Sequence, residues 1–324
     1  LTFENLARYS HMSERTFRRN YKKFFDWLDF NWQLIMLYVE IDQATLIAAI
    51  DCSYIPKAGK STYGLDKFFS SVAGRAKKGL EISLLCLINT QDGKAWALDV
   101  SQTPAGLSTK QDDPDRLTRV DHYMDQLKRT QTPLSRVKYI VADGFYAKDK
   151  VFNTMDELGK SLITKLRPDA NLRYLFQGQR TGKQGRPTQY DGKVNWKNLD
   201  LTKWEHIGKD DKYPYLELYT QVLNSPHFKR DFRVVMVVNT KTNKYILLAC
   251  TDINLDARTI LRYYQLRFKI EFLFRDAKQF CGLPHCQARN KEALHFHFNL
   301  SLAAVNIAQV KLNFDPAIKS MNVL

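Results

Sequence analysis

Long apolar runs are missing from this 324-residue chain. A membrane-spanning helix needs about 20 consecutive apolar residues. No basic amphipathic stretch stands apart from the fold to suggest a membrane surface either. The N-terminus carries no signal-peptide pattern. Cysteine is scarce, with five residues spread through the sequence. An odd, scattered set suits a reducing compartment and not a disulfide framework. Low-complexity tracts and internal repeats are absent. The first residue is Leu1 and not an initiator Met, as expected of a fragment or a processed form. Acidic residues are outnumbered, 34 Asp+Glu against 49 Lys+Arg, for a net charge of +15. Such an excess points to a polyanionic partner, nucleic acid first, and contributes nothing to choosing the fold. A hydrophobic content of 44% with 12% aromatics describes a folded protein, large enough for one big domain or two modest ones.

The stretch YYQLRFKIEFLFRDAK, from Tyr263, contains neither Gly nor Pro and reads as one continuous helix. At about 100° per residue, Tyr264, Arg267, Glu271 and Lys278 fall within about 60° of one another. Leu266, Ile270, Leu273 and Ala277 form the opposite, core-facing stripe. Spacing alone also suits a solvated face on which Arg267 and Glu271 pair, worth a few tenths of a kcal/mol. A single carboxylate on an aromatic and cationic strip suits a metal ligand beside phosphate contacts better.

The rest of the chain supplies two matching acids. TLIAAIDCSYIPK reads as a buried strand with Asp51 at its exit, and VKYIVADGFY repeats the design with Asp143 before a Gly turn. Between them come a KAGKSTYGLDK loop, the strands LEISLLCLIN and KAWALDVSQTP joined by an Asp-Gly hairpin turn, and an amphipathic helix at RLTRVDHYMDQLKR. A helix at AKDKVFNTMDELG and a strand at SLITKLR follow. Three strands, a helix, a strand, a helix and a strand give the order of an RNase H-like core. Residues 1–43 resemble a helix-turn-helix. Ser13 is the expected cap of a second helix bearing Arg15, Arg18, Arg19, Lys22 and Lys23, which suits DNA contact. An ordinary helical hairpin with a basic face is the plainer alternative. The expected division is 1–43 helical, 44–167 first part of the catalytic core, 168–252 a β-rich insertion, and 253–324 the second part of the core. From Lys160 to Lys212 the chain carries 12 Lys/Arg against 6 Asp/Glu.

Three carboxylates around one point repel each other unless a cation joins them. Oxygen-only ligands suit Mg²⁺, and two such ions about 3.5–4 Å apart serve phosphodiester chemistry. Cys281, His285 and Cys286, with His295 and His297 downstream, offer a rival zinc site of loose spacing.

Tyr264-x2-Arg267-x3-Glu271-x6-Lys278 resembles the Y-R-E-K signature of the insertion-sequence DDE transposases, and the resemblance covers about Ala44 to Ala308. It implies an α/β fold with an RNase H-like mixed sheet, flanking helices and a β-rich insertion before the last catalytic helix. It implies that Asp51, Asp143 and Glu271 hold two Mg²⁺ ions, with Mn²⁺ as a substitute. Tyr264 and Arg267 would hold phosphates at the cleaved transposon end, and Lys278 would contact DNA beside the site. The implied partners are double-stranded DNA, as inverted-repeat ends and target, and a second copy in the DNA complex. The implied setting is the bacterial cytoplasm, at the nucleoid. Cut-and-paste chemistry of this kind often passes through an end hairpin. The family pattern usually has Trp directly after the Arg, where this chain has Phe268. Trp196 and Trp204 are the insertion's candidates for stacking on an extruded base. Two other classes stay open, a non-catalytic DNA-binding repressor and an RNase H-type nuclease.

Overall fold

The computed structural model describes residues 3–39, 46–108, 116–178 and 187–314. It divides into two compact units, Leu1–Arg136 with Lys269–Leu324, and Val137–Phe268. In chain order the first unit opens with helices α1 (Phe3–Arg8), α2 (Glu14–Asn20) and α3 (Trp27–Tyr38). Strands β1 (Leu46–Pro56), β2 (Asp66–Ser70), β3 (Arg75–Asn89) and β4 (Ala95–Gln102) follow, then α4 (Arg119–Arg129) and the short α5 (Gln131–Leu134). The second unit contains β5 (Tyr139–Val141), α6 (Asp149–Glu157), β6 (Ser161–Leu166), β7 (Arg173–Leu175) and β8 (Tyr190–Lys193). It continues with β9 (Glu205–Lys209), β10 (Leu216–Ser225), β11 (Arg230–Asn239), β12 (Lys244–Cys250) and α7 (Ala257–Leu266). The chain then returns to the first unit as α8 (Lys269–Gln279) and α9 (Lys291–Phe314). The fold is mixed α/β.

In the first unit β3 is the common partner. It runs antiparallel to β1, β2 and β4. The hairpin between β3 and β4 turns at Asp92-Gly93, where Gly93 takes φ 68° and its N–H bonds to Asn89 O. β2 begins at the end of the expected KAGKSTYGLDK loop and runs past it, where the sequence gives no strand signal. Its five residues are too few to show alternation, and they form a strand because β3 starts earlier than its apolar run and offers Arg75–Gly79 as a partner. The ladder of β3 and β4 slips at Leu98. Beyond that bulge, amide side chains take the backbone groups of β4. Asn306 bonds both Ala97 N and Ala97 O, Asn31 donates to Leu98 O, Gln126 to Asp99 O and Asn299 to Val100 O. All four amides are buried.

The basic helix α2 begins where expected, with Ser13 Oγ accepting from Thr16 N. Arg15, Arg18, Arg19, Lys22 and Lys23 are exposed. Arg18 pairs with Glu14 and lies over the Phe3 ring. Tyr21 packs on Phe296 of α9 and donates to His297 Nδ1 at 2.6 Å.

In the second unit β5 and β6 pair parallel across α6. β12 continues from β6, followed by β11 and β10, all antiparallel. β7 and β9 pair with β10, and β8 with β7. The strands of 168–252 therefore extend the β5–β6 sheet. α7 covers β6, β10, β11 and β12, and the rings of Phe152, Phe228 and Phe232 pack under α6.

Two stability measurements check this arrangement. Asn306→Ala leaves Ala97 N–H and C=O buried without their partner, at about 1–3 kcal/mol for each unsatisfied group. Chemical denaturation should show a loss of about 3 kcal/mol, and a loss under about 1 kcal/mol would show that β4 does not need this amide. His122, His295 and His297 all have their pKa lowered from 6.5, chiefly by burial. A depressed pKa gives stability that is present above 6.5 and lost as pH falls through the folded value. The melting temperature should therefore fall between pH 7 and pH 5, and His297→Gln should flatten the decline.

Candidate functional site

Asp51 lies in the middle of β1 and not at its exit. The apolar run ends at Ile50, but the strand continues to Pro56 because β3 offers partners down to Gly79. Burial changes at that point. Leu46–Ile50 are buried, whereas Asp51, Cys52, Ser53 and Tyr54 are half-buried. Asp51 Oδ1 accepts from Cys52 N at 2.8 Å. Strand alternation puts Ser53 on the same face as Asp51.

The helix expected over Tyr264–Lys278 is two helices. α7 ends at Leu266, Arg267 caps it, and α8 starts at Lys269. The Phe268 N–H bonds to Gln265 O, an i−3 bond that tightens the last turn of α7. The alignment of faces therefore holds within each helix and not across the junction. Tyr264 and Arg267 belong to the second unit, and the Arg267 guanidinium lies 5.7 Å from the Tyr264 ring centre. Glu271 and Lys278 belong to α8 in the first unit, seven residues apart and about 20° apart around its axis.

Lys278 Nζ donates to Ser53 Oγ at 2.7 Å. The helix face that carries Glu271 is thereby turned to the strand face that carries Asp51. Sequence reasoning missed Ser53. Its signal was available as a hydroxyl two residues beyond an aspartate on a strand. Burial lowers the Lys278 pKa, so the fold holds this ammonium where its charge is disfavoured.

Asp143 lies in the second unit, two residues beyond the last residue of β5. Its Oδ1 accepts from Phe145 N at 2.9 Å, capping a single 3-10 turn, and its carbonyl accepts from Thr164 Oγ1 at 2.7 Å. Gly144 follows because β6 passes close by. A Cβ at that position would stand 3.0 Å from Lys165 O.

The three acids expected from the sequence, Asp51, Asp143 and Glu271, would offer oxygen donors only, the chemistry that suits a hard cation. Among the described residues, no three His, Cys, Asp or Glu side chains stand grouped to hold a metal ion. In the rival zinc set, His297 is otherwise engaged. His297 Nε2 faces the Gly282 and Leu283 carbonyls, which only accept, so Nε2 carries the proton and Nδ1 accepts from Tyr21.

Trp204 corrects an expectation. It is 5% exposed, and its indole donates to Tyr174 Oη, so it is a core residue of the second unit and no platform for a base. Trp196 is half-buried, stacked against Tyr245 and bonded to Ala170 O.

The Lys278 contact has a direct check. Ser53→Ala removes the oxygen that holds the ammonium and should cost about 1.5–3 kcal/mol, the range for bonds to charged groups. Lys278→Met keeps the buried stem and removes the disfavoured charge, so it should melt at or above the wild-type temperature. A loss larger than that of Ser53→Ala would mean that the ammonium is there for stability.

No curated protein matches the sequence. Solved structures that resemble it are distant. Endonuclease V of Ciona intestinalis, in complex with a 24mer DNA containing an inosine followed by a ribo-adenosine, is 11% identical. That match covers 87% of this chain and 97% of that one, with a TM-score of 0.32. The NurA nuclease of Sulfolobus solfataricus is 10% identical over 91% and 93% of the two chains, with a TM-score of 0.31. The Mos1 mariner paired end complex with Mn is 12% identical over 50% of this chain and 54% of that one, with a TM-score of 0.22. No described helix is long and apolar enough to cross a membrane. The model of the DDE superfamily endonuclease family matches residues 22–213, a span that contains Asp51 and Asp143 and ends before Glu271. With more than half of its length matched, this chain belongs to the DDE superfamily endonucleases.

Proposed function

We propose that this member of the family is a transposase that cuts DNA at transposon ends and joins them to target DNA. The observation that carries the reading is the bond from Lys278 to Ser53, which turns the Glu271 face of α8 to the Asp51 face of β1. A helix that served only for packing would need no half-buried ammonium on that face.

Asp51, Asp143 and Glu271 would hold Mg²⁺, or Mn²⁺ in its place. The bound ions would activate a nucleophile and stabilise the leaving oxygen of a phosphodiester. The protein's own groups have separate tasks. Arg267 presents a planar fork that grips a phosphate through two parallel charged hydrogen bonds, and the Tyr264 ring beside it supports the guanidinium. Lys278 presents its positive charge on the Glu271 face. The exposed cations of α2, Arg15, Arg18, Arg19 and Lys22, contact the DNA backbone. Double-stranded DNA is the partner, as transposon ends and as target, with two copies of the chain in the complex.

The experiment is cleavage of a labelled duplex carrying a candidate inverted-repeat end, sought in the DNA flanking the coding region, with Mg²⁺ and a target plasmid. Glu271→Gln should abolish cleavage and leave DNA binding intact, since it removes one ligand and keeps the shape. Arg267→Lys keeps the charge but loses the fork, and cleavage should fall about tenfold, the equivalent of about 1.4 kcal/mol. Cleavage without joined product would favour a hydrolytic nuclease, and undiminished cleavage by Glu271→Gln would overturn the site.

A further inference from the structure

The hairpin formed by β2 and the first residues of β3 has no part in the site described above. Its base is pinned within the first unit. Phe68 is fully buried, with the Arg119 guanidinium 4.3 Å above its ring. Arg119 Nη2 donates to Lys67 O at 2.8 Å, Gly106 N donates to Asp66 Oδ2 at 3.0 Å, and Tyr54 Oη donates to Lys78 O at 2.7 Å. Beyond this base every residue from 71 to 78 is exposed. Val72, in the turn, is 99% exposed, and Phe69 is 63% exposed. Apolar side chains held so far into solvent on a pinned ribbon are a cost that a partner would offset.

Charge identifies the partner. Lys67 lies directly opposite Lys78, and alternation puts Phe69 and Ala76 on the same face. Like charges at facing positions, with Cβ atoms about 4.5–5.5 Å apart, destabilise a strand pair. Arg75 and Lys77 add two cations on the other face, and the only carboxylate of the ribbon, Asp66, is held by Gly106 N. Four cations around an apolar tip call for a polyanion with an apolar floor. A two-stranded ribbon fits the major groove of duplex DNA, about 12 Å wide, where thymine methyl groups give an apolar surface.

We infer that this hairpin is an arm that enters the major groove. Lys67 and Lys78 contact the phosphates on either side, and Phe69 and Val72 meet the base edges. The inference rests on the reading of the chain as a DNA-binding enzyme.

The test is fluorescence anisotropy of the full chain on a labelled duplex across a salt series. Each phosphate contact contributes about 0.9 to the slope of log affinity against log salt. Lys67→Gln/Lys78→Gln should lower that slope by about 1.8, and it should melt no lower than wild type because a repulsive pair has been removed. Phe69→Ser/Val72→Ser should weaken binding about tenfold with the slope unchanged. Methyl green, which fills the major groove, should erase the difference between that variant and wild type, whereas the minor-groove ligand netropsin should not. An unchanged slope in the lysine variant, or erasure by netropsin alone, overturns the arm. Wild type that binds no duplex at low salt overturns the DNA reading itself, so the two failures are distinguishable.

Discussion

The edge of β4 makes a demand that the first unit is built to meet. Backbone groups of a buried strand must find partners, and the ladder with β3 serves one edge only. Asn306 reproduces the donor and acceptor of a neighbouring strand at Ala97, and Asn31, Gln126 and Asn299 take the next three carbonyls. These amides come from α9, α3 and α4, so each helix is fixed against the sheet by a directed bond as well as by apolar contact. A side chain that satisfies a strand edge also closes it to further strands, which protects an otherwise adhesive surface. The face that carries Asp51 and Glu271 shares this support, since α8 packs against the same strands.

Charge is distributed with the opposite logic. The interior is apolar or amide-lined apart from the hydrogen-bonded carboxylates of Glu81 and Asp99, whereas the cations of α2 and of the β2–β3 hairpin stand in solvent. Lys278, like Lys148 and Lys160, is kept half-buried with its charged form disfavoured. Displaced pKa values of this kind gather where a protein handles charge, because a dry environment strengthens any later interaction with a phosphate.

Much of this was legible in the sequence, and the misses share a cause. The Asp-Gly turn, the Ser13 cap and the β5–α6–β6 unit follow from local chemistry, and each stands where local rules put it. The helix break at Phe268 could not be read. No Gly or Pro marks it, and a tightened i−3 turn depends on where the chain must go next. Asp51 reads as the end of a strand because its apolar run stops there, but the length of β1 is set by how far β3 extends alongside it. β2 exists for the same reason. Trp204 has the composition of a stacking residue, and only the tertiary fold shows that Tyr174 already takes its indole N–H. Local signals name the elements, and pairing decides their ends.

His297 has a consequence beyond its own packing. Its two nitrogens are both committed, one to Tyr21 just after α2 and the other to the carbonyls of Gly282 and Leu283 just after α8. One ring thus serves as a common bearing for the N-terminal basic helix and for the far end of the helix that carries Glu271. The end of α2 and the exit of α8 are thereby held to the same ring, a contact that does not involve the sheet. A single imidazole thus joins the N-terminal helices to an element contributed by the far end of the chain.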